Sequence, residues 1–182
     1  MPTFDVSELP QFGKIPQMTR EAGYQVHVSL RYLEDHLKRA FEEDRLELNP
    51  DFQRGHVWTE EQQIAYVEYV FRGGRSGRDF YFNHPGWMKD WVGEYVCVDG
   101  LQRLTALRRF LANEIPIFGY KREAFEDKVP NMVTIVWHVN NLKTRAEVLQ
   151  WYYEMNAGST PHTKEELERV KKMWKDAKEK GL

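Results

Sequence analysis

Cysteine is nearly absent from this chain: Cys97 is the only one in 182 residues, so no internal disulfide can form and a disulfide-stapled scaffold is excluded. Cys97 sits inside the apolar run Tyr95–Val98, with no activating group suggested nearby. It reads as a small buried hydrophobe rather than a nucleophile. Long apolar stretches are missing as well, and none approaches the ~20 residues that span a bilayer. The segment from Met1 to Phe12 lacks a basic region followed by an apolar one, so no signal peptide is expected. Nor is there an excess of either charge: 26 Lys and Arg against 28 Asp and Glu leave a formal net charge of −2. No global positive field advertises nucleic acid, so any such contact must come from a local cluster. His27, His36, His56, His84, His138 and His162 are scattered, none at metal-ligand spacing with a carboxylate or cysteine partner. Internal repeats and low-complexity tracts are also lacking. A soluble, cytoplasmic protein is expected, residing in the host cytoplasm if its source is viral.

What the chain does have is material for a core. Hydrophobic residues make up 41% and aromatics 14%, with six Trp, nine Tyr and ten Phe, which argues against disorder. One α/β domain spanning 1–182 is expected, with strands separated by helices. Tyr24–Val28 suits a strand, and Ser29 can cap a helix carrying Leu30, Leu33, Leu37 and Ala40. Thr59-Glu60-Glu61-Gln62 is a capping box, followed by the stripe Ile64, Val67, Val70 and Phe71 and stopped by Gly73-Gly74. Asp79–Asn83, Glu94–Val98 and Met132–Val139 read as strands, the second of them interior, and residues 84–93 as a Trp-bearing loop. Leu104, Leu107, Phe110 and Leu111 mark a helix from Leu101. Capping boxes at Thr144/Glu147 and Thr163/Glu166 open helices at about 145–156 and 164–180. The charges of the last helix describe a solvated face.

Chemistry is concentrated at three junctions. Val98-Asp99-Gly100-Leu101-Gln102-Arg103 sets a carboxylate, an amide and a guanidinium in one bend at a helix start, where unpaired N–H groups and the macrodipole favour an anion. Asn49-Pro50-Asp51-Phe52-Gln53-Arg54 places a second guanidinium ahead of the helix capped at Thr59, which suits a phosphate oxygen. Tyr152–Pro161 ends a helix in Asn156-Ala157-Gly158, where an Asn also serves as a plain helix terminus. Arg72, Arg75 and Arg78, interleaved with glycines, form a cationic loop that either grips phosphates or simply blunts a helix end. Trp87 and Trp91 flank Lys89 and could stack on bases, although packing better suits at least one of them.

Taken together, in this order, the junctions resemble the N-terminal domain of the GmrSD-type restriction endonucleases, within the wider ParB/sulfiredoxin-like superfamily. The resemblance runs over about residues 45–170. It rests on Pro50-Asp51-Phe52-Gln53-Arg54-Gly55-His56-Val57-Trp58, on Asp99-Gly100-Leu101-Gln102-Arg103, and on Asn156-Ala157-Gly158-Ser159-Thr160-Pro161. The middle motif departs once, with Leu101 where the family usually carries Gln.

The resemblance implies a ParB/sulfiredoxin-like α/β fold that binds and cleaves a nucleoside triphosphate, with ATP, GTP and CTP undistinguished. In the family that activity serves DNA restriction, DNA modification or phage–host conflict. Asp99, Gln102 and Arg103 would be catalytic, with Mg2+ at Asp99, while Gln53, Arg54, Gly100 and Asn156 would hold the nucleotide or its phosphates. No His-Asn-His nuclease pattern is present and the sequence stops at Leu182, so a separate effector protein is an expected partner, with DNA as another and no membrane. Two other readings stand beside this one: a phosphotransferase acting on a hydroxyl, such as that of a modified DNA base, and a non-enzymatic nucleotide- or DNA-binding switch.

Overall fold

A computed structural model describes residues 15, 24–53, 55, 57–157 and 164–181. Its centre is a four-stranded mixed sheet in the order β1-β4-β2-β3, built from β1 (Tyr24–Ser29), β2 (Asp79–Asn83), β3 (Val96–Asp99) and β4 (Thr134–Asn140). β4 pairs antiparallel with β1 and parallel with β2, and β2 pairs antiparallel with β3. Helices α1 (Leu33–Glu42), α2 (Glu60–Phe71), α3 (Leu101–Leu111), α4 (Arg145–Ala157) and α5 (Lys164–Glu179) cover the two faces.

Strand alternation divides the core. Phe80 and Phe82 of β2 and Ile135, Trp137 and Val139 of β4 point to one face. They pack there with Leu33 and Leu37 of α1, Val67 and Val70 of α2, and Leu104, Leu107 and Phe110 of α3. Phe82 stacks on Trp137 at 3.8 Å, and the Trp137 indole N–H donates to the Tyr95 hydroxyl at 2.7 Å. On the opposite face Val96 and Val98 join Leu149 and Tyr152 of α4 and Val170 and Trp174 of α5.

Local signals place most element ends. The Thr59 capping box forms in full, Thr59 Oγ1 accepting from the Gln62 N–H and Gln62 Oε1 from the Thr59 N–H. Thr144 and Glu147 reciprocate in the same way at the start of α4. Thr163 lies outside the described residues. Ser29 caps a 3₁₀ turn, Leu30–Tyr32, that leads into α1.

One expectation is corrected: β3 is an edge strand of the sheet, not an interior one. Its apolar run reflects burial on both faces, since Val96, Cys97 and Val98 are all buried. The free edge is covered by an irregular segment. The Glu47 N–H donates to the Tyr95 carbonyl, the Cys97 N–H to the Glu47 carbonyl, and the Gln53 amide to the Cys97 carbonyl. Burial pushes the Cys97 thiol up to about 12, consistent with an inert packing residue.

The loop at 84–93 folds over His84, whose Nδ1 accepts the Gly86 N–H at 3.1 Å. Trp87 packs on the first core, whereas Trp91 stays 47% exposed. His36 and His84 both titrate below 6.5, pushed down chiefly by burial. Between those lowered values and 6.5 the unfolded chain binds more protons than the folded one. Stability therefore rises with pH through this window and is lost as pH falls through it. The melting temperature is expected to drop from about pH 7 to about pH 5.5, and His84→Gln to flatten that slope. Thermal melts across this range check it, and a flat wild-type profile would contradict it.

Candidate functional site

Asp99 closes β3, and the chain reverses at once through Gly100 (φ 118°, ψ −1°) into α3. Two constraints demand glycine here. The backbone lies where L side chains rarely go, and an added Cβ would stand 2.5 Å from the ring of buried Phe80. Gly100 offers no side-chain cap, so it supplies no side-chain acceptor to the N–H groups of the first turn of α3.

Arg103 turns back across this bend. Its Nη2 donates to Asp99 Oδ2 at 2.6 Å, and its guanidinium lies over the Phe80 ring at 5.2 Å. The Asp99 side chain is 40% exposed and that of Arg103 18%, so the carboxylate faces solvent while the guanidinium is held against the core. Five N–H groups on Arg103 leave donors beyond the one that binds Asp99.

The Arg-Gly loop reaches the same place. A Cβ on Gly77 would come within 3.7 Å of Arg103 Cδ, and the Tyr66 hydroxyl donates to the Gly77 carbonyl at 2.8 Å. Burial pushes the Tyr66 phenol up to about 12, against the pull of Arg103 and Arg78. Within this loop Arg72 and Arg75 are exposed. Arg78 is a staple, donating to the carbonyls of Val70 at 2.6 Å and Thr134 at 3.2 Å.

The glutamines act as clamps. Gln102 Oε1 accepts from the N–H groups of Val57 (2.8 Å) and Trp58 (3.1 Å), and its Nε2 donates to the Gly55 carbonyl at 2.8 Å. Gln53 is spent on the Cys97 carbonyl. These bonds fasten Gln53 to β3 and Gly55, Val57 and Trp58 to the start of α3; Arg54 and His56 lie outside the described residues. The far side of that segment is held by α4 and α5. Phe52 packs edge-on against Tyr152, and Arg169 donates to the carbonyls of Asp51, Phe52 and Gln53 at 3.3–3.5 Å. Asn156 is buried in the last turn of α4, its amide donating to the Tyr152 carbonyl at 2.7 Å. The rest of that motif, from Gly158 to Pro161, lies outside the described residues.

Sequence reading missed three neighbours of Asp99. Tyr81 is its cross-strand partner, and His138 is the partner of Tyr81 on the other side. The Tyr81 and His138 rings stack at 4.7 Å, and His138 Nε2 bonds Asp79 Oδ1 at 2.7 Å. The Tyr81 phenol is raised by burial first and then by the Asp79 and Asp99 carboxylates. Only the i, i+2 spacing of Asp79 and Tyr81 in one strand hinted at a shared face. Nothing local ties His138 to residues 59 positions away.

Among the described residues no group of three His, Cys, Asp or Glu could hold a metal. Asp99 is a single, open carboxylate, a donor set that fits Mg2+ arriving with phosphates rather than a caged ion. A separate cleft of about 220 Å³, lined by Phe52, Val96, Leu142, Arg145 and Val148 among others, contains none of the turn residues. No described helix is long and apolar enough to cross a membrane.

No curated protein and no solved structure matches the chain significantly. A family model does match, described as "GmrSD restriction endonuclease, N-terminal domain", over residues 37–134. That segment is more than half of the chain and holds the Gln53 segment, the β3–α3 turn, Asp79 and Tyr81. The chain belongs to the GmrSD restriction endonuclease N-terminal domain family.

Proposed function

We propose that the β3–α3 turn binds the phosphates of a nucleoside triphosphate and supports its hydrolysis, in the service of DNA restriction or phage–host conflict. The observation that carries this reading is the Asp99–Arg103 pair, bonded at 2.6 Å across a glycine-capped helix start. Arg103 supplies a positioned guanidinium for a phosphate oxygen, and the first-turn N–H groups of α3 add dipolar attraction. Asp99 would hold Mg2+ together with the phosphates, and the ion would supply charge neutralisation as negative charge shifts to the leaving group. Gln102 ties Gly55, Val57 and Trp58 to the start of α3, and Gln53 ties itself to β3, so the motif that contains Arg54 is joined to the turn through its described neighbours. The family's restriction context argues for DNA as the ultimate target, and exposed Arg72 and Arg75 offer it a cationic border.

Incubation with ATP, GTP, CTP or UTP and Mg2+, with and without DNA, tests this directly. Release of inorganic phosphate from at least one nucleotide is the expected result. Label appearing in DNA instead would make the acceptor a hydroxyl and the protein a phosphotransferase. Nucleotide binding without either product would make it a switch, and no binding at all would overturn the reading.

A further inference from the structure

The two edges of the sheet differ. β3 is covered by Glu47 and Gln53, whereas no described residue pairs with the outer edge of β1. The Leu30 N–H donates to the Val133 carbonyl, in the same register that pairs Tyr24 with Val139. Alternation then turns the N–H and C=O groups of Tyr24, Val26 and Val28 toward β4, and those of Gln25, His27 and Ser29 outward. Gln25 and His27 are exposed. Natural sheets blunt such an edge with charge, proline or a bulge. β1 has none of these: Tyr24–Ser29 contains no Lys, Arg, Asp, Glu or Pro, and its register with β4 runs without a shift.

The strand is also matched to itself. From Tyr24 to Val28 it alternates apolar and polar symmetrically about Val26. Laid antiparallel on a second copy, with a two-fold axis at Val26, it sets Val26 against Val26, Tyr24 against Val28 and Gln25 against His27. Apolar side chains meet apolar ones on one face and polar meet polar on the other, and aromatic–β-branched pairs of this kind are favourable. Gln25 and His27 of the second copy then form a hydrogen-bonded pair that exchanges both backbone bonds, and the symmetry repeats it. No like charges face each other across the strands, and a net charge of −2 adds little repulsion between whole copies. That internal symmetry selects a second copy over an unrelated strand.

Apolar surface continues from the strand. Tyr24 meets Trp87 edge-on at 5.1 Å, and Trp87 meets Trp91 at 4.7 Å. Around them Tyr24, Met88, Trp91 and Val92 are exposed, a cluster of large apolar side chains beside the Tyr24 end of β1. The loop that carries them is held firm, the N–H groups of Lys89 and Trp91 both donating to the Gly86 carbonyl at 3.0 Å. In an antiparallel pair this end lies opposite the Ser29 end of the second strand, where the 3₁₀ turn presents Tyr32, 53% exposed.

We propose that β1 is a dimerisation strand, pairing antiparallel with β1 of a second copy to join two four-stranded sheets into one. The contact lies at the opposite edge of the sheet from β3. It therefore leaves both Asp99–Arg103 turns open, and it is independent of the nucleotide reading.

Sedimentation equilibrium of the full chain, at micromolar to submillimolar concentration, is expected to give twice the chain mass of 21.7 kDa. A wild type that stays monomeric throughout overturns the proposal. His27→Pro removes an outward donor and puts a ring on the edge, while the β1–β4 hydrogen bonds are spared. Its dissociation constant should rise about tenfold or more. Gln25→Lys adds the charge that guarded edges carry and should weaken the dimer likewise, so it decides the matter if the proline variant does not fold. Val26→Cys reads the register. At a non-hydrogen-bonded pair on the axis the two Cα atoms lie about 4.5 Å apart, within disulfide reach, so mild oxidation should cross-link the copies. Gln25→Cys should stay uncross-linked, because its own counterpart is displaced by two residues along the strand, more than about 7 Å away. The native Cys97 is buried and takes no part. A dimer that persists in both His27→Pro and Gln25→Lys, or the reverse cross-linking pattern, overturns pairing through this edge.

Discussion

Gly100→Ala is expected to cost about 2–6 kcal/mol of stability and to abolish the anion site. Two independent penalties combine. Forcing a side chain into a backbone conformation with φ of 118° costs on the order of 1–3 kcal/mol. Driving a Cβ to 2.5 Å from Phe80, a ring with no exposure and a packed core around it, adds about 1–3 kcal/mol of overpacking. For a chain of this size that shifts the melting temperature by roughly 4–24 °C. The displaced ring is the one on which the Arg103 guanidinium rests, so what remains of the fold presents a misplaced cation. Gly55→Ala is the matched control, because an added Cβ there meets nothing within 4 Å, and its melt should stay near that of the wild type. Differential scanning calorimetry of the three proteins checks this. Equal melting of Gly100→Ala and wild type would mean that the turn does not have this geometry.

Arg103→Ala and Asp99→Asn should separate binding from turnover. A charge-assisted hydrogen bond is worth about 1.5–3 kcal/mol, so Arg103→Ala is expected to weaken nucleotide affinity roughly 10- to 150-fold. Some stability goes with it, since the guanidinium also covers Phe80. Asp99→Asn keeps a polar partner for Arg103 but removes the carboxylate charge. Affinity should hold or improve, because one negative group no longer faces the phosphates, while phosphate release falls by about 100-fold or more. Isothermal titration with an imido analogue and a phosphate-release assay measure the two effects separately. Normal turnover in both variants would place the reaction elsewhere.

The limits of sequence reading follow from the range of the forces involved. Helix starts at Thr59 and Thr144 were legible because a capping box closes within four residues. The strand–turn–helix at Asp99-Gly100-Leu101 was legible for the same reason: an apolar run, a glycine and helical spacing all lie within about ten residues. β3 misled because a continuous apolar run reports burial on both faces and says nothing about which strand lies next to it. Its edge is covered by Glu47 and Gln53, a pairing that only long-range closure reveals. Gln102 carried a similar ambiguity. Its place in the motif suggested catalysis, and its amide makes three bonds, to Gly55, Val57 and Trp58.

By itself, then, the sequence determined the elements, the family and the turn that sets Asp99 and Arg103 together, because each rests on contacts between near neighbours in the chain. Only the tertiary structure decided that Arg78 is a staple, that the Arg-Gly loop borders Arg103, and that Asp79, Tyr81 and His138 line up beside Asp99. Those relations arise from the parallel pairing of β2 with β4 and the antiparallel pairing of β2 with β3. Pairing of β2 with β4 across 57 residues leaves no periodic trace in either segment, since each strand's alternation is the same whichever neighbour it meets.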